Sequence, residues 1–284
     1  MRFLSICAIL KNEPNLEEWI IYHYIVGVQH FYLYDNESNI SIQSRLLNKT
    51  FFQNICTVIP FPKNLQQIPA YNHCINHFKN DTLWLAVIDG DEYIVPKEDS
   101  TITDFLLKRK QAQSIGINWL MFGTSYHITK QKYVIDSFIK CNKNTGENIQ
   151  IKSIFKPKFV TSLNNPHFVT TQNSFLCRNA CKQIIRGPFN HNFQETNKII
   201  QINHYFVRSE EDWRMKQHRG RADTSDNSYK NQKNPHLKDN DDEDTFCRDK
   251  YFKKVKELYE NIMENGNIIK DENCKKKVFN FHLL

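Results

Sequence analysis

Residues 86–96 read AVIDGDEYIVP, an apolar run broken by Asp89, Asp91 and Glu92 and then resumed at once. Two carboxylates with one residue between them can hold a hard divalent cation, directly or through water. Oxygen ligands suit manganese or magnesium, and a partly open coordination shell leaves room for phosphate oxygens. Gly90 lets the backbone turn sharply and come close to a ligand. An Asp-Gly turn closing a hairpin would use the same residues with no ligand at all. The spacing is weak by itself, and its weight depends on where the chain puts it.

The surrounding elements give it that weight. An apolar run at residues 3–10 reads as a first strand. Pro14 then suits the first turn of a helix, with Glu13, Glu17 and Glu18 near its positive end. Leu16, Trp19, Ile20, His23 and Tyr24 recur at three- and four-residue steps and give that helix one apolar face. Residues 30–34 and 55–60 read as the second and third strands, 70–78 as a helix, and 83–89 as the fourth strand. This alternation is the order of a doubly wound α/β half-domain, whose ligands bind beyond the carboxyl ends of the strands. Three polar clusters occupy such ends: Lys11-Asn12-Glu13, Asp35-Asn36-Glu37 and Asp89-Gly90-Asp91. One cluster is a loop; three on one edge of one sheet predict a site.

Length and composition set the outer bounds. The 284 residues suffice for one large or two small domains with a real core. No window approaches the roughly 18 apolar residues of a membrane span. The apolar start breaks off at Lys11, where a signal peptide would carry its cleavage site, so a cytoplasmic protein is expected. Of eight cysteines only Cys177 and Cys181 lie close together, and no second pair completes a zinc pattern; reduced thiols are expected. A net charge of +7 suits an anionic ligand or peripheral attachment to an acidic membrane surface. Nucleic acid is not an expected partner, because three acidic clusters would repel a phosphate backbone. Beyond residue 115 the chain turns β-rich, with apolar segments at 115–119, 133–139 and 199–206. A polar stretch over 223–244 reads as a loop. Tyr251, Phe252, Val255, Leu258, Tyr259 and Ile262 then mark an amphipathic helix.

Several segments together resemble glycosyltransferase family 92 and the related family-2-like set of the GT-A fold. They are CAILKNEPNLEEWIIYHYIVGVQHFYLYDNES, QIPAYNHC, WLAVIDGDEYIVP, INWLMFGTS, INHYFVRSEEDW and HRGRAD, in family order across most of the chain. The resemblance implies a GT-A type α/β fold: a Rossmann-like nucleotide-binding half with a mixed central sheet, a β-rich acceptor half and a C-terminal helix. The expected organisation is one domain over 1–284. Its nucleotide-sugar half covers 1–114, the acceptor and metal-completing half 115–222, and the loop and helix 223–284. It also implies a metal-dependent transferase with a nucleoside-diphosphate sugar as donor, uridine diphosphate foremost, and a glycan or glycoconjugate as acceptor. Family 92 is associated with inversion at the anomeric carbon. In many relatives a residue larger than Gly90 is expected.

The same resemblance assigns roles. Lys11, Asn12 and Glu13 would line the nucleotide pocket and Asp35 would accept hydrogen bonds from base or ribose. Gln67, Tyr71 and Asn72 would face the donor. Asp91 would ligate manganese or magnesium directly, with Asp89 on the ribose or a metal-bound water, and Glu92 would brace the loop or reach the sugar. His204 would complete the metal site, provided its strand ends or bends near Asn203. Lys216, Arg219 and Arg221 would close over the diphosphate. Trp119, Met121 and Phe122 could form an apolar wall against a sugar ring, although an ordinary core strand explains Trp119 equally well. Inversion needs a general base, and Glu211, Asp223 and Glu195 are the candidates. Two other classes use similar parts. A nucleotidyltransferase would want a glycine-rich loop after the first strand, which KNEPNLEE does not supply. A carbohydrate-binding module would account for the aromatics without catalysis.

Overall fold

Along the first strand, Leu4, Ile6, Ala8 and Leu10 enter one core cluster while Cys7 and Ile9 enter another. Successive side chains on a strand point to opposite faces, so an unbroken apolar run means a strand covered on both sides. The computed structural model describes residues 1–219 and 234–265. Its first elements are β1 (Arg2–Leu10), α1 (Leu16–Ile25), β2 (His30–Asp35), α2 (Ile42–Leu46), α3 (Thr50–Ile55), β3 (Cys56–Pro60), α4 (Gln67–Phe78) and β4 (Thr82–Val87). Next come β5 (Glu92–Pro96), α5 (Ile102–Leu107), β6 (Ser114–Phe122), α6 (Val134–Ser137), β7 (Lys140–Asn142) and β8 (Ile151–Phe155). Then follow β9 (Val160–Ser162), β10 (Thr170–Thr171), β11 (Cys177–Asn179), α7 (Phe193–Ile199), β12 (Ile200–His204), α8 (Glu210–Arg219), β13 (Asp242–Glu243) and α9 (Phe246–Asn265).

The main sheet runs β13-β7-β6-β8-β4-β1-β2-β3. β1 is parallel to both β2 and β4, and β2 to β3. The order therefore reverses at β1, and a crevice opens beyond the carboxyl ends of β1 and β4. α4 buries Ala70, Tyr71 and Cys74 against Cys7, Ile9 and Val87 on one face. α1 packs against α9 within the other, larger cluster. β8 joins the halves, antiparallel to both β4 and β6. β12 lies antiparallel to β5 and parallel to β6. This is an α/β architecture with a mixed central sheet, as the sequence led us to expect.

Residues 133–139 are not a strand. Val134–Ser137 forms one helical turn, because the Glu18 carboxylate of α1 accepts the amide hydrogens of Val134 (2.7 Å) and Ile135 (3.0 Å). Burial pushes the Glu18 carboxyl up to about 7 despite those two bonds. α4 begins at Gln67 rather than at 70. Within the expected loop over 223–244, residues 234–244 include a helical turn at Pro235–Leu237 and strand β13, and the rest lies outside the described residues. Cys177 and Cys181 carry free thiols. Among the described residues no helix is long and apolar enough to cross a membrane.

Candidate functional site

The turn between β4 and β5 is held from within. The Glu92 N–H donates to the Asp89 carbonyl (3.1 Å), and the Glu92 carboxylate accepts from the Asp89 N–H (2.8 Å). Glu92 is fully buried, 3.6 Å from the Lys152 ammonium, so it braces the turn and does not line the cleft beside it. Burial, together with Asp89 and Asp91 beside it, pushes its carboxyl well up against the pull of Lys152. A Cβ on Gly90 would stand 2.7 Å from Leu10 Cδ2 and 3.0 Å from Glu13 Cγ. The end of β1 and this turn therefore touch, and a larger residue here requires Leu10 to shift.

The two aspartates differ in what surrounds them. Asp89 Oδ1 accepts from Gln67 Nε2 (2.7 Å) and the Tyr71 hydroxyl (3.2 Å), while Oδ2 accepts from Lys152 Nζ (2.7 Å). Burial alone would raise Asp89, yet the Lys152 ammonium holds it below the usual carboxylate range. Asp91 Oδ2 accepts from Lys216 Nζ (2.6 Å), and Oδ1 lies 3.6 Å from His204 Nε2. Against burial, Lys216, His204 and Arg208 hold Asp91 well below the usual range. β12 ends at His204, which still pairs with Glu92 and Met121, and its ring packs on Trp119 at 4.3 Å between centroids. Burial lowers the His204 pKa, which favours neutral imidazole. Its Nδ1 and the indole Nε1 of Trp119 are buried and without a hydrogen-bond partner.

Gln67, Asp89, Asp91, Trp119, Lys152, His204 and Lys216 line a cleft of about 190 Å³ at the crevice, together with Lys11, Glu13, Asn36, Asn64, His167, Phe206 and Arg219. A second cleft of about 680 Å³ adjoins it, and Glu13, Asp91, Phe206, Lys216 and Arg219 belong to both. Glu13 is paired with Arg208 Nη1 at 2.6 Å, and Arg208 Nη2 donates to the Gly90 carbonyl (3.2 Å). With Asp89 on Lys152, Asp91 on Lys216 and Glu13 on Arg208, every carboxylate lining the first cleft has its own cation. Lys11 and Arg219 add further positive charge; Arg219 Nη1 donates to the Lys11 carbonyl (2.7 Å), and Lys11 Nζ is 4.0 Å from Glu37 at the rim.

Other expected site residues stand elsewhere. Asp35 spends both oxygens on the backbone amides of Ser38 (3.0 Å) and Ile42 (2.8 Å), and its neighbour Asn36 lines the cleft instead. Asn12 is exposed, lines the second cleft and bonds Ser38 and Asn39. Tyr71 is buried under Gln67 and meets the site through Asp89. Asn72 braces the Leu163 carbonyl (2.9 Å). Met121 and Phe122 are core side chains; Trp119 alone of those three lines the cleft. Glu211 is exposed and accepts from the Lys130 N–H (2.8 Å), and Glu195 pairs with Lys198 (2.6 Å), so neither lines either cleft. Asp223 and Arg221 lie outside the described residues. Sequence reasoning missed Lys152, Arg208 and His167. For Lys152 a signal existed: one lysine inside the apolar run IKSIF.

Asp91 and His204 present a carboxylate oxygen and an imidazole nitrogen 3.6 Å apart. Such a pair suits manganese or magnesium with most of the coordination shell open. Asp89 does not join them, since both its oxygens are already bonded. Among the described residues no three His, Cys, Asp or Glu side chains gather as a metal site.

The family model described as glycosyltransferase family 92 matches residues 4–276. A glycosyltransferase family 92 protein of Oryza sativa is 26% identical over 206 residues, covering 71% of this chain and 33% of that protein. One of Arabidopsis thaliana is 34% identical over 93 residues, covering 32% of this chain and 16% of that protein. The chain thus spans about a third or less of the length of these curated relatives. Among solved structures, HddC from Yersinia pseudotuberculosis has a TM-score of 0.41 at 13% identity, covering 63% of this chain and 89% of that one. A TarS fragment from S. aureus has a TM-score of 0.36 at 12% identity, covering 55% and 47%.

Proposed function

Because the chain belongs to glycosyltransferase family 92, we propose that it moves a sugar from a nucleoside-diphosphate sugar to a hydroxyl group of a glycan or glycoconjugate. The observation that carries the reading is the convergence of the β1, β4 and β12 ends on one cleft where Lys11 and Arg219 exceed the paired acids. Uridine diphosphate is the nucleotide we assign first. In this reading the acceptor oxygen attacks the anomeric carbon while the bond to the diphosphate oxygen breaks. The diphosphate keeps the bonding electrons, the acceptor proton passes to a base, and a single displacement inverts the carbon.

The leaving diphosphate gains negative charge as that bond breaks, and groups already in place to meet the charge lower the barrier. Lys11 and Arg219 take that role, and Trp119, with its unpartnered indole N–H, faces the sugar. Asp91 and His204 would hold a manganese or magnesium ion, which would neutralise the same oxygens as a Lewis acid. Asp89, tied to Gln67, Tyr71 and Lys152, keeps the turn in shape.

The test is a panel of nucleotide sugars, with and without manganese, read by release of nucleoside diphosphate. Release that depends on both donor and acceptor is the expected result. Pyrophosphate released from a nucleoside triphosphate and a sugar phosphate would replace the reading with nucleotidyl transfer. Sugar binding without turnover would replace it with a binding module.

A further inference from the structure

The first cleft, at about 190 Å³, is smaller than the roughly 300–1,000 Å³ of ordinary small-molecule sites. The neighbouring cleft of about 680 Å³ shares Glu13, Asp91, Phe206, Lys216 and Arg219 with it. The Lys216–Asp91 bond, at 2.6 Å, joins two of these shared residues.

Glu13, Asp91 and Lys216, which the clefts share, are in close ion pairs. Glu13 is locked to Arg208 in a pair whose side chains are 7% and 5% exposed. Lys216 belongs to α8, on the outside of the fold, where its neighbour Met215 is 43% exposed. Its stem runs to the Phe206 ring, with Nζ 3.8 Å from the centroid and 2.9 Å from the Phe206 carbonyl. The carboxylate it covers is the one that faces His204. An ammonium group and a divalent cation compete for the same oxygen, and the diphosphate that arrives with the cation offers the ammonium new acceptors.

We propose that Lys216 is an internal counter-ion that the donor displaces: it holds Asp91 where the two clefts share their lining, and on donor binding it exchanges that carboxylate for a diphosphate oxygen. The exchange rests on the reading of Asp91 and His204 as the cation site. Lys216 is on this account a positioning residue for the donor and a competitor of the cation.

The experiment titrates manganese alone, and then uridine diphosphate at saturating manganese, into the wild-type protein, Lys216→Met and Lys216→Arg. Methionine keeps the packing on Phe206 and removes the charge. Lys216→Met should bind manganese about tenfold more tightly and uridine diphosphate about tenfold more weakly, the scale of one charged hydrogen bond. Lys216→Arg should stay near the wild type in both. Manganese affinity in Lys216→Met equal to or below the wild type overturns the competition. Unchanged affinity for uridine diphosphate overturns the exchange. Manganese bound by none of the three proteins overturns the cation reading itself, and the nucleotide arm then decides the role of Lys216 alone.

Discussion

Asp89 and Asp91 leave the same turn, and each holds a lysine, yet the two ion pairs are built from different material. Lys152 sits inside strand β8, 1% exposed, and Asp89 has both oxygens bonded. Lys216 sits on the surface helix α8, 17% exposed, and one Asp91 oxygen faces a histidine rather than a hydrogen-bonded lysine. Burial lowers the Lys216 pKa more than Asp91 raises it, whereas Asp89 and Glu92 overcome burial and raise that of Lys152. A motif that looks symmetric in sequence is thus asymmetric in structure. The Asp89 side is scaffold, and the Asp91 side is where a cation and a donor can exchange partners.

The strongest test of that division is Asp91→Asn. The change removes one charge at nearly constant shape, so kcat/KM should fall at least about 100-fold, as for loss of a group that meets developing charge. The fold should lose only about 1–2 kcal/mol, because asparagine keeps an acceptor oxygen for Lys216 Nζ, which also donates to the Phe206 carbonyl. Steady-state kinetics beside urea denaturation reads both numbers. Near-normal turnover at saturating donor and manganese removes Asp91 from the chemistry.

Asp89→Ala should show the reverse balance. It removes the nearer of two carboxylates from an ammonium group that is 1% exposed and leaves Glu92 at 3.6 Å, so the loss should lie toward the lower end of the about 3–5 kcal/mol of a broken buried pair. Denaturation of the Asp89→Ala and Asp91→Ala proteins side by side decides the matter. Equal losses would erase the distinction between Asp89 and Asp91.

The residues themselves explain which of these features were legible in advance. β1, β2 and β4 are buried on both faces, so each shows as an apolar run, and the polar residues after it mark the sheet edge. His204 could be flagged as the polar end of an apolar segment, and it is the last residue of β12, although the strand runs on through Asn203 without a break. Contacts made across long stretches of chain left no such mark. Lys152 reaches Asp89 only because β8 is inserted beside β4, antiparallel to it. Glu18 turns residues 134–137 into a helix from more than a hundred residues away. Asp35 has the right place but the wrong allegiance, since two backbone amides claim its carboxylate. Glu211 is likewise taken by the Lys130 amide.

The contrast extends to two buried histidines. His204 has an unpartnered Nδ1. His23 has both nitrogens used: Nδ1–H donates to the Trp19 carbonyl (2.8 Å) and Nε2 accepts from the Ile94 N–H (3.2 Å). That arrangement requires neutral imidazole, and burial lowers its pKa to about 3. For a histidine with a lowered folded-state pKa, the stabilisation is complete above the unfolded value near 6.5 and is lost as pH falls toward 3. Two pH units below 6.5 the loss is about 2.7 kcal/mol. His23→Gln does not titrate, so the wild type should lose about 2–3 kcal/mol more than the variant between pH 6.5 and 4.5. Parallel pH slopes would show that His23 titrates normally and is not the sealed core residue its bonds describe.

The smallest effect is expected at Gly90, between the two aspartates, and it bears most directly on how their two sides are joined. The methyl group of Gly90→Ala would meet Leu10 Cδ2 at 2.7 Å and Glu13 Cγ at 3.0 Å. Leu10 Cδ2 is the far end of a flexible side chain and can turn away, so overpacking should cost only about 1 kcal/mol of stability. Glu13 has less freedom, because Arg208 binds its carboxylate at 2.6 Å and the Gly90 carbonyl at 3.2 Å. Glu13 lines both clefts, so any shift of its side chain changes their shared lining. Gly90→Ala should weaken uridine diphosphate binding by about three- to tenfold, a change of roughly 0.7–1.4 kcal/mol, while its melting temperature falls by only a few degrees. If the substitution instead costs as much stability as Asp89→Ala and leaves nucleotide affinity intact, the turn belongs wholly to the scaffold and the division between Asp89 and Asp91 is drawn in the wrong place.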